Sequence, residues 1–214
     1  MIIVMMGPPN AGKGTQAQKL QEYLGIPKLS TGEMLRRYIS TETEKGIELK
    51  KLMKKGDLVP DEIVIEILKK RILEEDCRNG FIADGFPRTE NQAKTLDKIL
   101  NDNNLIIDRV ICLTVNPEII VARQAGRRVA LESGCVYHLE HNPPKVPGKC
   151  DVSGEDLIQR EDDREDVIRY RLNIYEAKIK PIVEYYETKG LLYKVDGDNN
   201  LNDVTSSIMS IIEK

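Results

Sequence analysis

The strongest constraint on this chain lies at its start. Met1 to Met6 is an almost unbroken apolar run, and it leads directly into Gly7-Pro8-Pro9-Asn10-Ala11-Gly12-Lys13-Gly14-Thr15-Gln16, which opens a helical pattern. A buried strand that turns through glycines into a helix points successive backbone N–H groups into one concavity, and the helix N-terminus behind them adds partial positive charge. Gly7 and Gly12 allow close approach, and Lys13 places a compact cation where the β and γ phosphates of a nucleotide would lie. The spacing Gly-x4-Gly-Lys fits a phosphate loop. Gly14 stands where that pattern wants Ser or Thr, and Thr15 supplies a hydroxyl one position late, so direct hydroxyl ligation of magnesium is left open. A glycine-rich turn without a ligand is the plainer alternative, and the strand-loop-helix context favours the phosphate.

The rest of the chain repeats the strand-helix alternation. Ala17, Leu20 and Leu24 recur at helical spacing with Gly25 placed to cap, and Gly25 to Leu29 is a second short buried stretch. Ser30-Thr31-Gly32-Glu33 reads as a capping box, with Arg36 and Arg37 close behind it in a position to meet an anion. Ser40 to Lys55 is charged and sparsely apolar, which predicts a lightly packed helical flap. Gly56 to Asp61 reads as a turn, and Ile63, Val64, Ile67, Leu68 and Ile72 as a core helix. Gly80 to Arg88 is a strand that ends in Asp84, Gly85 and Arg88, and in an open parallel sheet that end is where ligands bind. Gln92 to Leu100 predicts a helix, 108–115 a fully buried strand, 191–195 the last strand and 204–212 a closing helix. Pro181 is expected to kink or divide the long helical pattern that begins near Val167. The fold class is therefore α/β: a doubly wound, three-layer α/β/α core with a five-stranded parallel sheet.

From Gly126 to Gly154 the texture changes. Pro143, Pro144, Pro147, Cys135, Cys150, His138 and His141 fall in a stretch without helical periodicity, flanked by Arg123, Arg127 and Arg128 on one side and Arg160, Asp162, Asp163 and Arg164 on the other. This reads as an inserted, loop-rich subdomain with arginines at both hinges; Asp162 and Asp163 are as readily explained by hinge salt bridges.

Net charge is −3 and the pI near 5.6, so general nucleic-acid or membrane binding is not expected and any basic site must be local. No charged leader or membrane span is read, and the four cysteines form no CxxC pair, which together predict a soluble, cytoplasmic protein.

GPPNAGKGTQ, LSTGEMLR at 29–36, GDLVPDE at 56–62, DGFPRTENQA at 84–93, GRR at 126–128, YH with NPPK in the insertion and QREDD at 159–163 together resemble adenylate kinase in its long-lid form. The resemblance covers nearly the whole chain. It implies reversible transfer from Mg-ATP to AMP giving two ADP, a monomer, a core of residues 1–29, 60–125 and 164–214, an AMP-binding flap at 30–59 and a lid at 126–163. By the same resemblance Asn10, Ala11, Gly12, Lys13, Gly14 and Thr15 hold the ATP phosphates, with Arg123, Arg127, Val136, Tyr137 and Asn199 around the rest of ATP. Thr31, Arg36, Asp57, Leu58, Val59, Gly85, Phe86, Pro87, Arg88 and Gln92, with Arg160 and Arg171, surround AMP. Lys13, Arg88, Arg123, Arg127, Arg160 and Arg171 carry the transfer, and Asp84 holds Mg2+ through water. Rival readings are a UMP/CMP or other nucleoside monophosphate kinase and a phosphate-loop ATPase or switch.

Two positions depart from the family pattern. Asn10 replaces the usual glycine, and Asn is the next most tolerant residue of positive φ. Metal-binding lids of the family use four ligands in two pairs, and the matching positions here are Ala130, Ser133, Cys150 and Ser153; one sulfur does not make a zinc site, so no structural zinc is expected. Cys135, His138, His141 and Cys150 form a different set on paper.

Overall fold

A computed structural model describes residues 1–40 and 43–213, the side chains of Lys45, Ala125 and Asp162 apart. Five strands form one all-parallel sheet: β1 (Ile2–Met6), β2 (Lys28–Ser30), β3 (Phe81–Asp84), β4 (Arg109–Thr114) and β8 (Leu192–Asp196), in the order β2-β3-β1-β4-β8. Alternate residues of each strand face opposite layers, as the period of two requires. Ile2, Val4, Met6, Phe81, Ala83, Val110 and Cys112 face a core closed by α4 (Asp61–Ile72), α5 (Glu90–Asp102) and α7 (Glu165–Thr188). Ile3, Met5, Ile82, Ile111, Leu113 and Val195 face the other layer, closed by α1 (Lys13–Leu24) and α8 (Leu201–Ile212). Strands buried on both faces explain why the sequence shows apolar runs there rather than alternation.

Two excursions leave this core. Between β2 and α4 the chain forms α2 (Thr31–Ile39) and α3 (Glu44–Lys55), the latter capped where Thr43 accepts from the Gly46 amide at 3.1 Å. Between α6 (Pro117–Ala125) and α7 a small antiparallel sheet of β5 (Arg127–Ala130), β6 (Val136–His138) and β7 (Leu157–Ile158) gives the insertion an ordered frame that its loop-like composition did not announce. Among the described residues no helix is long and apolar enough to cross a membrane.

Two local expectations are corrected. Pro181 does not divide α7, which runs continuously from Glu165 to Thr188. Ile168 and Leu172 before the proline and Ile182 and Tyr186 after it are all buried, and packing on both sides outweighs the bond the proline deletes. The capping box at Ser30 does not form: Ser30 makes no side-chain cap bond, and the neighbouring Thr31 hydroxyl instead donates to the carbonyls of Asp84 (3.2 Å) and Gly85 (2.9 Å) across the sheet edge.

Candidate active site

The turn after β1 is built as its glycines demand. Gly7 has φ 141°, and a Cβ there would lie 2.8 Å from the Leu113 carbonyl oxygen, so the loop can lie against β4 only with glycine at this position. Asn10 has φ 57°, the left-handed conformation foreseen for it. Gly12, the residue before α1, makes no side-chain cap bond, and the first amides of α1 have no carbonyl one turn earlier to receive them. They face a cavity of about 890 Å³ that Asn10, Ala11, Gly12, Lys13, Gly14 and Thr15 all line.

Lys13 is half-buried against that cavity, its ammonium donating to the carbonyls of Gly7 (2.9 Å) and Pro8 (2.6 Å). Burial lowers its pKa to about 8, Arg88 and Arg171 push the same way, and the Asp84 carboxylate opposes them. Asp84 ends β3, and its Oδ2 is 3.4 Å from where a Cβ on residue 14 would sit. A side chain at position 14 would therefore meet Asp84 in ordinary contact, which places the carboxylate directly beside the loop. A carboxylate oxygen beside a polyphosphate cradle suits magnesium, which keeps waters and takes few protein ligands.

Arginines from four elements reach the same cavity. Arg36 comes from α2, Arg88 from the loop after β3, Arg123 from α6 and Arg171 from α7, while Arg127 opens β5 of the inserted sheet and Arg160 follows β7. Arg123 donates to the carbonyls of Gly197 (2.8 Å), Asp198 (3.1 Å) and Asn199 (3.4 Å), which fixes the turn after β8 beside the cavity. Arg127 bonds the buried Asp163 carboxylate at 2.6 Å and Asn10 Oδ1 at 3.4 Å. The hinge salt bridge read for Asp163 is therefore present, and the same reading for Asp162 lies outside the described side chains. Val136 and Tyr137 also line the cavity, although the Tyr137 hydroxyl turns into the inserted sheet, accepting from the Asp151 amide at 2.8 Å.

A second cavity of about 50 Å³ adjoins the first, lined by Thr31, Asp57, Leu58, Val59, Gly85 and Gln92 among others. Both cavities share Arg36, Leu58, Gly85, Arg88 and Arg171, so three arginines stand at their junction. Gly56, with φ 86°, clears the way for Arg171, whose Cγ lies 2.8 Å from where a Cβ on residue 56 would be. Pro87 lines the larger cavity. Phe86 lines neither; it is 1% exposed and packs in the core, where it anchors the loop from behind. Gln92 is also buried, and its amide already has partners: Oε1 accepts from the Arg88 amide at 2.7 Å and Nε2 donates to Asp61 at 2.7 Å.

Asp61 is the residue that sequence reasoning missed. It begins α4 and also accepts from Thr89 (2.7 Å) and Asn91 (3.0 Å), so one carboxylate fixes the start of α5 and with it Gln92 and Arg88. No local pattern relates residue 61 to residues 89–92; only the topology does. Glu33, Tyr175 and His141 line the large cavity and were likewise not singled out for it.

His138 is not available to a metal. Its Nδ1 accepts from the amides of Glu140 and His141, both at 3.1 Å, so Nε2 carries the proton and donates to the Arg123 carbonyl at 2.8 Å. Among the described residues no group of three or more His, Cys, Asp or Glu is placed to hold a metal ion.

A parallel sheet, a phosphate loop at the carboxyl ends of its strands and two adjoining cavities joined by arginines define a phosphate-loop nucleotide phosphotransferase. The adenylate kinase family profile matches residues 5–191, and the chain belongs to that family. It is 48% identical over 212 residues to an adenylate kinase of Exiguobacterium sibiricum, covering 99% of each chain. It is 47% identical over 214 residues to one of Archaeoglobus fulgidus and 46% over 214 to one of Shouchella clausii, each covering 100% of this chain and 99% of the relative.

Proposed function

We propose that this protein moves the terminal phosphoryl group of Mg-ATP reversibly to AMP, giving two ADP. The observation that carries the reading is the pair of cavities with Arg36, Arg88 and Arg171 at their junction and Lys13 lining the larger one. A switch or ATPase needs no second site with its own phosphate clamp. The acceptor phosphate is already largely a dianion at neutral pH, its second pKa being about 6, so no general base is required. What remains is to hold two anions in line, spread the developing charge and exclude water.

On this reading ATP lies along the phosphate loop with its phosphates on the amides of residues 10–15 and on Lys13. Its adenosine lies between Arg123, Val136, Tyr137 and the turn at Asn199. AMP takes the end of the larger cavity that adjoins the smaller one, its base toward Thr31, Val59 and Gln92 and its phosphate between Arg36 and Arg88. Arg127, Arg160 and Arg171 approach the transferred group, each offering planar donors that match phosphate oxygens. Asp84 would hold Mg2+ through water, and the ion would neutralise charge on the donor phosphates. Residues 30–59 serve as the AMP-binding flap and 126–163 as the lid on a core of 1–29, 60–125 and 164–214. The protein acts as a cytoplasmic monomer, which sedimentation of the purified chain and fractionation of its source cells would test.

The test of function is ADP formation from Mg-ATP with AMP, UMP, CMP or GMP as acceptor, in the native protein and in Lys13→Ala. AMP-selective turnover that the substitution abolishes is the expected result. Selectivity for another acceptor would overturn the base assignment, and ATP hydrolysis without an acceptor would overturn the kinase.

A further inference from the structure

The inserted sheet holds a group of polar and sulfur side chains that, Tyr137 apart, the phosphoryl transfer does not use. Two tight turns face each other there, one spanning residues 130–135 and the other 150–155, each closed by its own backbone bonds: Gly134 N to Ala130 O at 3.1 Å, and Gly154 N to Cys150 O at 2.9 Å. Cys150 is 3% exposed, and its sulfur touches Ser133 Oγ and Tyr137 Oη, both at 3.5 Å. The same Ser133 Oγ lies 3.5 Å from the backbone nitrogen of Cys135, so one hydroxyl bridges the two cysteine positions. Cys135 packs against the buried cluster of Ala130, Tyr137 and Cys150. Cys135 is half-buried and Cys150 buried, so one of the two meets solvent. The chain's other cysteines, Cys77 and Cys112, lie in the main core, away from this sheet.

From this arrangement we infer that Cys135 and Cys150 are a dithiol–disulfide couple: Cys135 takes up an external low-molecular-weight disulfide, and Cys150 resolves the adduct into a bond between the two turns. The inference stands apart from the reading of the reaction. The hydroxyls of Ser133, Ser153 and Tyr137 and the Ser153 amide stabilise charge on Cys150, whose pKa falls to about 6 although burial alone would raise it. The facing Cys135 thiol is pushed up, chiefly by burial, and retains its proton.

The exchange balances with oxidised glutathione as the oxidant. The Cys135 proton passes to the Cys150 sulfur, the Cys135 thiolate attacks one glutathione sulfur, the glutathione S–S bond breaks and one glutathione thiolate leaves. That thiolate takes the proton from Cys150. The Cys150 thiolate then attacks the Cys135 sulfur of the mixed disulfide and expels the second glutathione as thiolate. The protein loses two electrons and one proton, and one glutathione disulfide becomes one thiol and one thiolate.

The experiment incubates the full chain with oxidised glutathione and reads intact mass and peptide maps before and after dithiothreitol. The expected product has lost two hydrogens, carries a Cys135–Cys150 cross-link and reverts on reduction. Cys150→Ser, which removes the resolving sulfur, should accumulate a stable glutathione adduct on Cys135. A wild-type chain that keeps all four thiols reduced, holds a lasting mixed disulfide on Cys135, or cross-links through Cys77 or Cys112 would overturn the proposal. So would a Cys150→Ser chain, folded by circular dichroism, that takes up no glutathione.

Discussion

The phosphate loop and the paired turns of the inserted sheet meet one physical problem in opposite ways. In both, a tight turn leaves backbone amides pointing into one spot. At the loop those amides face a cavity, with Lys13 and the arginines adding positive charge around it. In the inserted sheet they face a carboxylate of the protein itself: Glu155 accepts from the amides of Glu132 (2.8 Å) and Ser133 (2.9 Å) and from the Ser153 hydroxyl (2.7 Å). These bonds, with those from the Glu132 amide and the Ser153 hydroxyl leading, hold the Glu155 pKa down to about 2. A turn built for a foreign anion is left open, and one that needs only shape is closed with an internal anion. The first should control activity and the second stability.

Four outcomes would sharpen or break that contrast. Lys13→Ala should lower kcat/KM by about a thousandfold or more while leaving the circular dichroism spectrum and the melting midpoint near wild type. A collapse of the fold would show that the lysine is structural. Arg88→Ala should cost about a hundredfold, with KM for AMP rising more than KM for ATP, because Arg88 stands at the junction with the smaller cavity. An equal rise in both would move it out of the acceptor clamp.

The next contrast is in pH. Lys13 is held below its unfolded value, so the native state loses its proton near pH 8 while the unfolded chain keeps one to about 10.5. Between these values the unfolded state binds more protons, and the Lys13 contribution to stability rises with pH as affinity for ATP falls. Glu155 has the same sign in a different window: its folded pKa is also depressed, so its contribution is present above the usual carboxylate range and is lost as pH falls toward 2. Melting and ATP titrations across pH 7 to 10, and melting alone across pH 5 to 2, would check both signs. The smallest effect belongs to Glu155→Gln, which should lower the melting midpoint by a few degrees, with turnover changed by only a small factor. Turnover falling as far as in Arg88→Ala would erase the distinction between the two turns.

Much of the site was readable because its chemistry sits in short contiguous stretches at the ends of strands. The loop at 7–15, the Asp84-Gly85-Arg88 edge and Arg123, Arg127 and Arg160 around the insertion all border the large cavity, since a strand followed by glycines sets where these segments meet. What escaped depends on contacts between distant segments. Phe86 lies inside a motif whose neighbours line the cavities, yet the loop after β3 turns its ring into the core. Pro181 is a local helix breaker overruled by burial on either side of it. Ser30 through Glu33 spell a cap that the adjacent edge of β3 takes apart by engaging Thr31. Asp61 looked like a helix start and proved to be a four-way junction.

That junction bears on how the protein fails when heated. One side of the smaller cavity is held by one carboxylate on α4 clasping three side chains at the start of α5, and both helices lie against the same core layer. No partly melted form that separates α4 from α5 retains the geometry around Gln92 and Arg88. Thermal inactivation with AMP as acceptor should therefore follow the loss of secondary structure degree for degree, without an earlier phase in which a folded enzyme has merely lost its second substrate.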